Sequence, residues 1–129
     1  MTQKVSFEFV PLETATTQHT GAYMARIPSG IVDRDQLFDV LEGTLKLPEY
    51  FGRNWDALDE CLGDLTWISE HHVVIMHDEL PRGLGKTYLA TYLKILSDAV
   101  RFWQDRKEHT FSVVFPPSQE FEVRSLLGT

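Results

Sequence analysis

A group of acidic side chains at helical spacing is the feature of this sequence best suited to chemistry. Residues 54–65 read NWDALDECLGDL. If this segment is wound at about 100° per residue, as in an α-helix, its apolar residues gather on one side and its carboxylates on the other. The acidic side consists of Asp56, Asp59, Glu60 and Asp64, with Gly63 between them. The segment contains no lysine or arginine, so the pattern favours a basic binding partner.

This acidic face is energetically costly for the helix that carries it. Like charges three or four residues apart cost a few tenths of a kcal/mol per pair, about 0.2–0.5. The helix dipole offsets part of that cost at Asp56, in the first turn, and works against Asp64 at the other end. Gly63 is either a costly interior residue or the end of the helix. The pattern alone leaves a binding surface and a merely solvated surface equally open.

The loop before the acidic segment supplies aromatic residues. Leu47–Arg53 (LPEYFGR) places Tyr50 and Phe51 beside the acidic face. Adjacent aromatics in a turn do not easily both point inward, so we expect one to face solvent or a partner, although both could cover the core. We expect Gly52 to adopt a backbone conformation that other residues disfavour. Asn54 is predicted to cap the helix, since its side chain can accept a hydrogen bond from the first turn.

Periodicity and turn residues predict the elements that position this segment. The predicted strands are Val5–Pro11, Ala22–Pro28, His72–His77 and Phe111–Phe115. The predicted helices run from Asp33 or Asp35 to before Pro48, from Asn54, and from Lys86 to about Asp105. Glu13–Gly21 is predicted to be a loop because it is rich in threonine, and the tail from Ser118 receives no assignment.

The order strand, helix, helix, strand, helix, strand is typical of parallel pairing through crossovers. We therefore predict an α/β fold, a small three-layer-like sandwich in which helices pack on a short, mainly parallel sheet of about three strands. A candidate N-terminal strand would lie at the sheet edge, where it could pair antiparallel. One domain is predicted over residues 1–129, with an N-terminal extension (1–20), a core (22–115) and a C-terminal tail (116–129).

Composition narrows the classes of partner and compartment. The 129 residues carry 12 basic and 19 acidic side chains, a net charge of −7, which disfavours direct nucleic-acid binding. The single cysteine, Cys61, cannot form an intrachain disulfide and fits a reducing compartment. The first dozen residues do not resemble a secretory signal, and no apolar run is long enough to cross a bilayer. We expect a cytoplasmic monomer without a metal or cofactor.

The run LPEYFGRNWDALDECL, Leu47–Leu62, resembles the signature of the barstar family of bacterial ribonuclease inhibitors. The resemblance implies a non-enzymatic function, in which an acidic helix and its preceding loop block the active site of a small ribonuclease. The carboxylates then occupy positions meant for RNA phosphates. By position, Glu60 corresponds to the central carboxylate and Asp56 to a second interface acid. The aromatic loop and its cap correspond to Tyr50, Phe51, Gly52 and Asn54.

The sequence departs from the family pattern at three places. Glu60 replaces the usual aspartate and adds one methylene group. Asp59 stands where the best-known member has a tryptophan. A further interface acid late in the last helix aligns with Trp103 here, with Asp105 as a loose substitute. These differences suggest a target other than the enzymes that family members are best known for blocking.

Two other functional classes remain as alternatives. The acidic face could serve a regulatory module that binds another basic protein. A small NTPase or hydrolase is suggested by Gly85-Lys86-Thr87, half of a phosphate-binding loop, but the glycine that the full pattern requires is Leu80. A tight turn at Gly83 and Gly85 explains those residues better.

The histidines and the cysteine are predicted to be structural. His71 and His77 share one face of a predicted strand but lie roughly 20 Å apart, too far to bind one metal ion. His72 points to the opposite face, so we expect the strand-end histidines to lie at solvent. Cys61 lies on the apolar side of the acidic helix and is expected to be a small buried hydrophobic residue.

Overall fold

Four parallel strands form the centre of the protein, in a computed structural model that describes residues 7–128. The strands are β1 (Glu8–Phe9), β2 (Tyr23–Ile27), β3 (His72–His77) and β4 (Thr110–Phe115), in the spatial order β1-β4-β3-β2. At the centre of the sheet, Ile75 pairs with Ala25 on one side and Val113 on the other. The predicted parallel sheet is confirmed. The antiparallel option for the N-terminal strand is wrong, because β1 runs parallel to β4 at the edge.

Five helices and two single turns of 3₁₀-helix complete the described chain. The helices are α1 (Leu12–Gln18), α2 (Arg34–Leu45), α3 (Trp55–Leu62), α4 (Lys86–Gln104) and α5 (Glu120–Leu127). The 3₁₀ turns are Arg82–Leu84 and Pro117–Gln119. The three predicted helices correspond to α2, α3 and α4, and α5 occupies the tail that the sequence left unassigned. The part of the predicted N-terminal strand before Phe7 lies outside the described residues.

The loop predicted over Glu13–Gly21 is wrong, because most of it belongs to α1. Threonine hydroxyls in this helix bond back to the preceding turn, from Thr16 to the Leu12 carbonyl at 2.9 Å and from Thr17 to the Glu13 carbonyl at 3.0 Å. Ala15 is fully buried in a cluster with residues of β3 and β4. Burial against the sheet therefore outweighs the low helix propensity of threonine.

The two faces of the sheet divide the core into two unequal parts. Val73 and Ile75 point into the large cluster that also contains the buried residues of α2, α3 and α4. Val74 and Met76, at the alternate positions, point into the small cluster under α1. This alternation follows from the pleat of a strand, whose successive side chains lie on opposite faces. The predicted sandwich therefore has α2, α3 and α4 on one face of the sheet and the short helix α1 on the other.

His77 is buried at the end of β3, so the expectation that it lies at solvent is wrong. Its Nδ1–H donates to the Val114 carbonyl at 3.0 Å, and the Tyr92 hydroxyl donates to Nε2 at 2.8 Å. Its ring also stacks on Phe115, with centroids 4.1 Å apart. Burial lowers the pKa of His77 to about 4. The imidazole is therefore a neutral, fully hydrogen-bonded part of the core.

Glycine permits a close approach between two loops near the start of α4. A Cβ atom at Gly83 would overlap the Ile31 carbonyl and lie 2.7 Å from the Cα atom of Val32. Gly85 adopts a left-handed φ of 80° immediately before α4. The prediction of a tight turn at these two glycines is confirmed. The turn joins β3 to α4, and at Gly83 it packs closely against the loop that leads into α2.

Candidate protein-binding site

Asn54 starts α3 as the sequence predicts. Its side-chain oxygen accepts a hydrogen bond from the Ala57 amide at 2.8 Å. At the other end, the Gly63 amide bonds to the carbonyls of Asp59 at 3.1 Å and Glu60 at 3.2 Å. Gly63 is therefore the residue that ends the helix, which settles the choice left open by the sequence. The helix is only eight residues long, so its two ends fix the placement of every side chain on it.

The helix is divided into a buried and an exposed side. Leu58, Cys61 and Leu62 are completely buried. Asp56, Asp59 and Glu60 are all exposed. The buried side packs against α4, where the Trp103 indole donates to the Leu62 carbonyl at 2.7 Å. In the structure, the acidic face consists of these three exposed carboxylates.

Within the part of the chain that the structure describes, no cation neutralises the acidic face. None of the ion pairs formed between residues 7 and 128 involves Asp56, Asp59 or Glu60. Asp56 and Glu60, together with Trp55, line a shallow open depression. Carboxylates with free lone pairs next to an aromatic ring suit the binding of a guanidinium or ammonium group.

Asp64, predicted as the fourth acid of this face, has a different environment. It lies beyond the end of α3 and is half-buried. The Tyr50 hydroxyl donates a hydrogen bond to its carboxylate. That bond, with smaller contributions from burial and nearby charge, raises the pKa of Tyr50 to about 12. Asp64 therefore ties the aromatic loop to the far end of α3.

The two adjacent aromatics of the loop point in different directions. Tyr50 is 59% exposed, whereas Phe51 is 7% exposed and packs edge-on against Phe38 with ring centroids 5.4 Å apart. The prediction that one of the pair faces solvent is confirmed, and that residue is Tyr50. Phe51, which the resemblance implies is an interface residue, instead anchors the loop in the core. Its ring has little surface to offer a partner.

The unusual backbone conformation of this loop is at Arg53, not at Gly52. Arg53 has a left-handed φ of 54°, and Gly52 does not have a positive φ, so the prediction for Gly52 is wrong. A Cβ at residue 52 would lie 3.4 Å from Asn54 Nδ2 and 3.8 Å from Ala57 Cβ, which is ordinary contact. The left-handed conformation therefore occurs one residue later than predicted, at Arg53, where contacts outside the loop hold the side chain.

Those contacts are with α2. The Arg53 guanidinium donates to Asp39 Oδ1 at 2.9 Å and to the Asp35 carbonyl at 3.3 Å, and it pairs with the Glu42 carboxylate. Arg53 is not among the site residues predicted from the sequence. A signal was present, since the acids at 35, 39 and 42 follow helical spacing and Arg53 is the single cation of residues 47–65. The one cation of the loop is thus directed away from the acidic face.

The structure also locates the residues that depart from the family pattern. Trp103 is buried and hydrogen-bonded to α3, so it does not provide a surface for a partner. Asp105 is exposed at the C-terminal cap of α4. Of the two positions considered for a late interface acid, Asp105 is the one that solvent and a partner can reach.

Other candidate chemistry lies elsewhere in the described chain. Cys61 is fully buried, and burial raises the pKa of its thiol, which opposes a nucleophilic role. Within residues 7–128, no three His, Cys, Asp or Glu side chains are grouped so as to hold a metal ion. None of the helices in that range combines the length and apolar character needed to cross a bilayer.

Comparison with known proteins identifies the family. No curated protein matches the chain. A family model described as Barstar (barnase inhibitor) matches residues 25–116, which include the second half of β2, all of β3 and β4, the acidic face and the aromatic loop. The match leaves β1, α1 and α5 outside its limits and covers well over half of the sequence. The chain belongs to the barstar family.

Proposed function

We propose that this chain is a non-enzymatic inhibitor that binds and blocks the active site of a small basic ribonuclease. The observation that carries the proposal is the acidic face, three exposed carboxylates without an ion-pair partner in the described chain. Family membership supports the class of partner, because the family is described by its inhibition of a ribonuclease. Net charge −7 supports attraction to a basic surface.

The proposed mechanism is competition with the phosphates of RNA. Glu60 and Asp56 lie one helical turn apart and would accept charge-assisted hydrogen bonds from arginine, lysine and histidine in the enzyme cleft. Asp59 would add charge beside them, and the exposed Tyr50 would supply an aromatic contact at the rim. Because an enzyme cleft that binds RNA must be basic, the same charges that attract the substrate would attract the inhibitor.

The site also indicates what distinguishes the target. Glu60 reaches one methylene further than the aspartate usual in the family, and Asp59 replaces an aromatic with a charge. We therefore propose a cleft that is deeper at the central position and more basic at its edge than that of barnase. The alternative partner, another basic protein that is not a ribonuclease, uses the same face, so the experiment must separate the two.

Inhibition of RNA cleavage tests the proposal. The purified chain is added to barnase and to a panel of other small basic microbial ribonucleases, and the rate of RNA hydrolysis is measured. We expect strong inhibition of at least one enzyme. Glu60→Gln or Asp56→Asn should weaken that inhibition by about 2 kcal/mol or more, because desolvated charge pairs dominate such interfaces. Glu13→Gln is the matched control, since it removes an exposed acid from α1 on the other side of the sheet.

The outcomes are distinct. If no enzyme of the panel is inhibited, the alternative basic partner is favoured and the ribonuclease proposal fails. If an enzyme is inhibited but both acidic-face variants act like the Glu13→Gln control, the assigned face is wrong. Association should also slow as salt is added, because salt screens the attraction between oppositely charged surfaces.

We further propose that the chain acts as a cytoplasmic monomer. Its single cysteine is buried and free, which suits a reducing compartment. One copy of the acidic face is enough to fill one enzyme cleft. Sedimentation of the mixture with an inhibited ribonuclease should therefore give a complex with one copy of each protein.

A further inference from the structure

Arg53 connects three parts of the candidate site. Its backbone lies directly before Asn54, the cap of α3, and its side chain reaches across to α2. It contacts two α2 carboxylates, Asp39 and Glu42, and the carbonyl of Asp35. A single exposed ion pair contributes little, but several contacts from one planar guanidinium restrict its orientation. The chain is thereby fixed at the point where the loop becomes the acidic helix.

The backbone of Arg53 adopts a left-handed conformation, as do those of Lys46 and Leu65. An arginine with a φ of 54° is in a region that residues with a side chain occupy rarely. Such a conformation persists only where surrounding contacts hold it. The remaining loop contacts lie on either side, with Phe51 inserted in the core and Tyr50 bonded to Asp64. Phe51 already joins the loop to Phe38 of α2 by an apolar contact, and Arg53 adds the polar contacts with α2 next to the helix cap.

We propose that Arg53 is a positioning residue for binding, although its charge has the wrong sign for a basic partner. It clamps the loop to α2 and so holds Tyr50 and the first turn of α3 in the bound arrangement before the partner arrives. This inference rests on the proposed function for the partner, while the ordering of the loop is a property of the free chain. Preorganisation of this kind improves affinity by reducing the ordering that binding would otherwise require.

Charge and positioning predict opposite effects, which makes the proposal testable. Removal of a cation makes the chain more acidic, so long-range attraction alone predicts faster association and tighter binding to a basic enzyme. Loss of positioning predicts faster dissociation and weaker binding. The variant is Arg53→Asn, because asparagine tolerates the left-handed conformation while it removes the guanidinium. The control is Arg26→Gln. It also removes one positive charge, but from β2, where Arg26 forms an exposed ion pair with Asp78.

Two measurements are made on each variant. Association and dissociation rates are measured with barnase, or with the panel enzyme that the wild type inhibits most strongly. We expect Arg53→Asn to dissociate about tenfold faster and Arg26→Gln to dissociate like the wild type. Hydrogen–deuterium exchange of the free chain should increase over residues 49–54 in Arg53→Asn alone. Arg53→Lys, which keeps the charge without the planar fork, should restore only part of the protection.

Each outcome decides something. If Arg53→Asn dissociates no faster than Arg26→Gln, or if exchange over residues 49–54 is unchanged, the inference is overturned. If the wild type binds no enzyme of the panel, the proposed function fails. Exchange in the free chain then still decides whether Arg53 orders the loop.

Discussion

Acidification should destabilise this protein through one buried residue, His77. The unfolded chain binds a proton at this histidine with a pKa of 6.5, whereas in the folded protein the pKa is lowered to about 4 by burial. Between these values the unfolded state binds more protons than the folded state, so the free energy of unfolding falls as the pH falls. The contribution is fully present above about pH 6.5 and is lost progressively down to pH 4.

The size of the effect follows from the width of that window. One pKa unit corresponds to about 1.4 kcal/mol, so the window between pH 6.5 and about pH 4 is worth up to about 3 kcal/mol. Between pH 7 and pH 4.5, the difference between the two titrations gives a loss of about 2 kcal/mol in the free energy of unfolding. His72, whose pKa is also lowered by burial, acts in the same direction, so the combined loss from these two histidines should exceed the loss from His77 alone.

Urea unfolding at several pH values measures the effect, with a double variant as the control. His77→Phe with Tyr92→Phe replaces both members of the imidazole–hydroxyl pair by apolar rings, so neither is left buried without the other. The Val114 carbonyl loses its imidazole donor, a cost that does not vary with pH and leaves the comparison of pH slopes intact. The double variant should lose about 2 kcal/mol less than the wild type over the same pH range. NMR titration of the wild-type imidazole supplies a check that does not depend on the variant. A His77 ring that takes up a proton near pH 6.5, or equal pH slopes in both proteins, would refute the reasoning.

Three further predictions concern other parts of the chain. Gly83→Ala should lower the free energy of unfolding by about 1–3 kcal/mol in urea titrations, because its methyl group would overlap the Ile31 carbonyl; an unchanged midpoint would contradict the close approach. Asp59→Lys should raise the free energy of unfolding by about 0.5 kcal/mol, seen as a slightly higher thermal midpoint, because it relieves repulsion between carboxylates, while it weakens ribonuclease inhibition; stronger inhibition together with higher stability would argue against the acidic face. Asp64→Asn should return the pKa of Tyr50 from about 12 towards 10, as followed by absorbance of the phenolate; no change would mean that the hydrogen bond does not form.

Elements that carry their own pattern were predictable from the sequence. The β3 strand VVIM is apolar at every position because both of its faces are covered, and α4 repeats its apolar residues at helical spacing. The acidic face was predictable for the same reason, since eight helical residues fix which side chains lie together. In each case the sequence pattern that predicts the structure lies within a single strand or helix.

Features set by distant contacts were not predictable. Ala15 gives no local sign that β3 and β4 will bury it, so α1 was predicted to be a loop. The partners of His77 are Val114 on β4 and Tyr92 on α4, and these two hydrogen bonds together make a buried histidine acceptable. Arg53 takes its conformation from α2, a different element, which is why the glycine beside it was the wrong choice.

The position of β1 in the sheet has a consequence for the order in which the molecule is assembled. Glu8 and Phe9 pair with Val114 and Phe115, so β1 cannot pair until β4, which is synthesised last of the four described strands, has emerged from the ribosome. Until β4 has emerged, β1 has no neighbour, and α1 lacks the Val114 side chain that completes its cluster. Contacts so far apart along the chain are slow to close. We expect the other strands and helices to assemble first. Residues 7–20 would then dock last, with β1 at the edge of the sheet and α1 on its face.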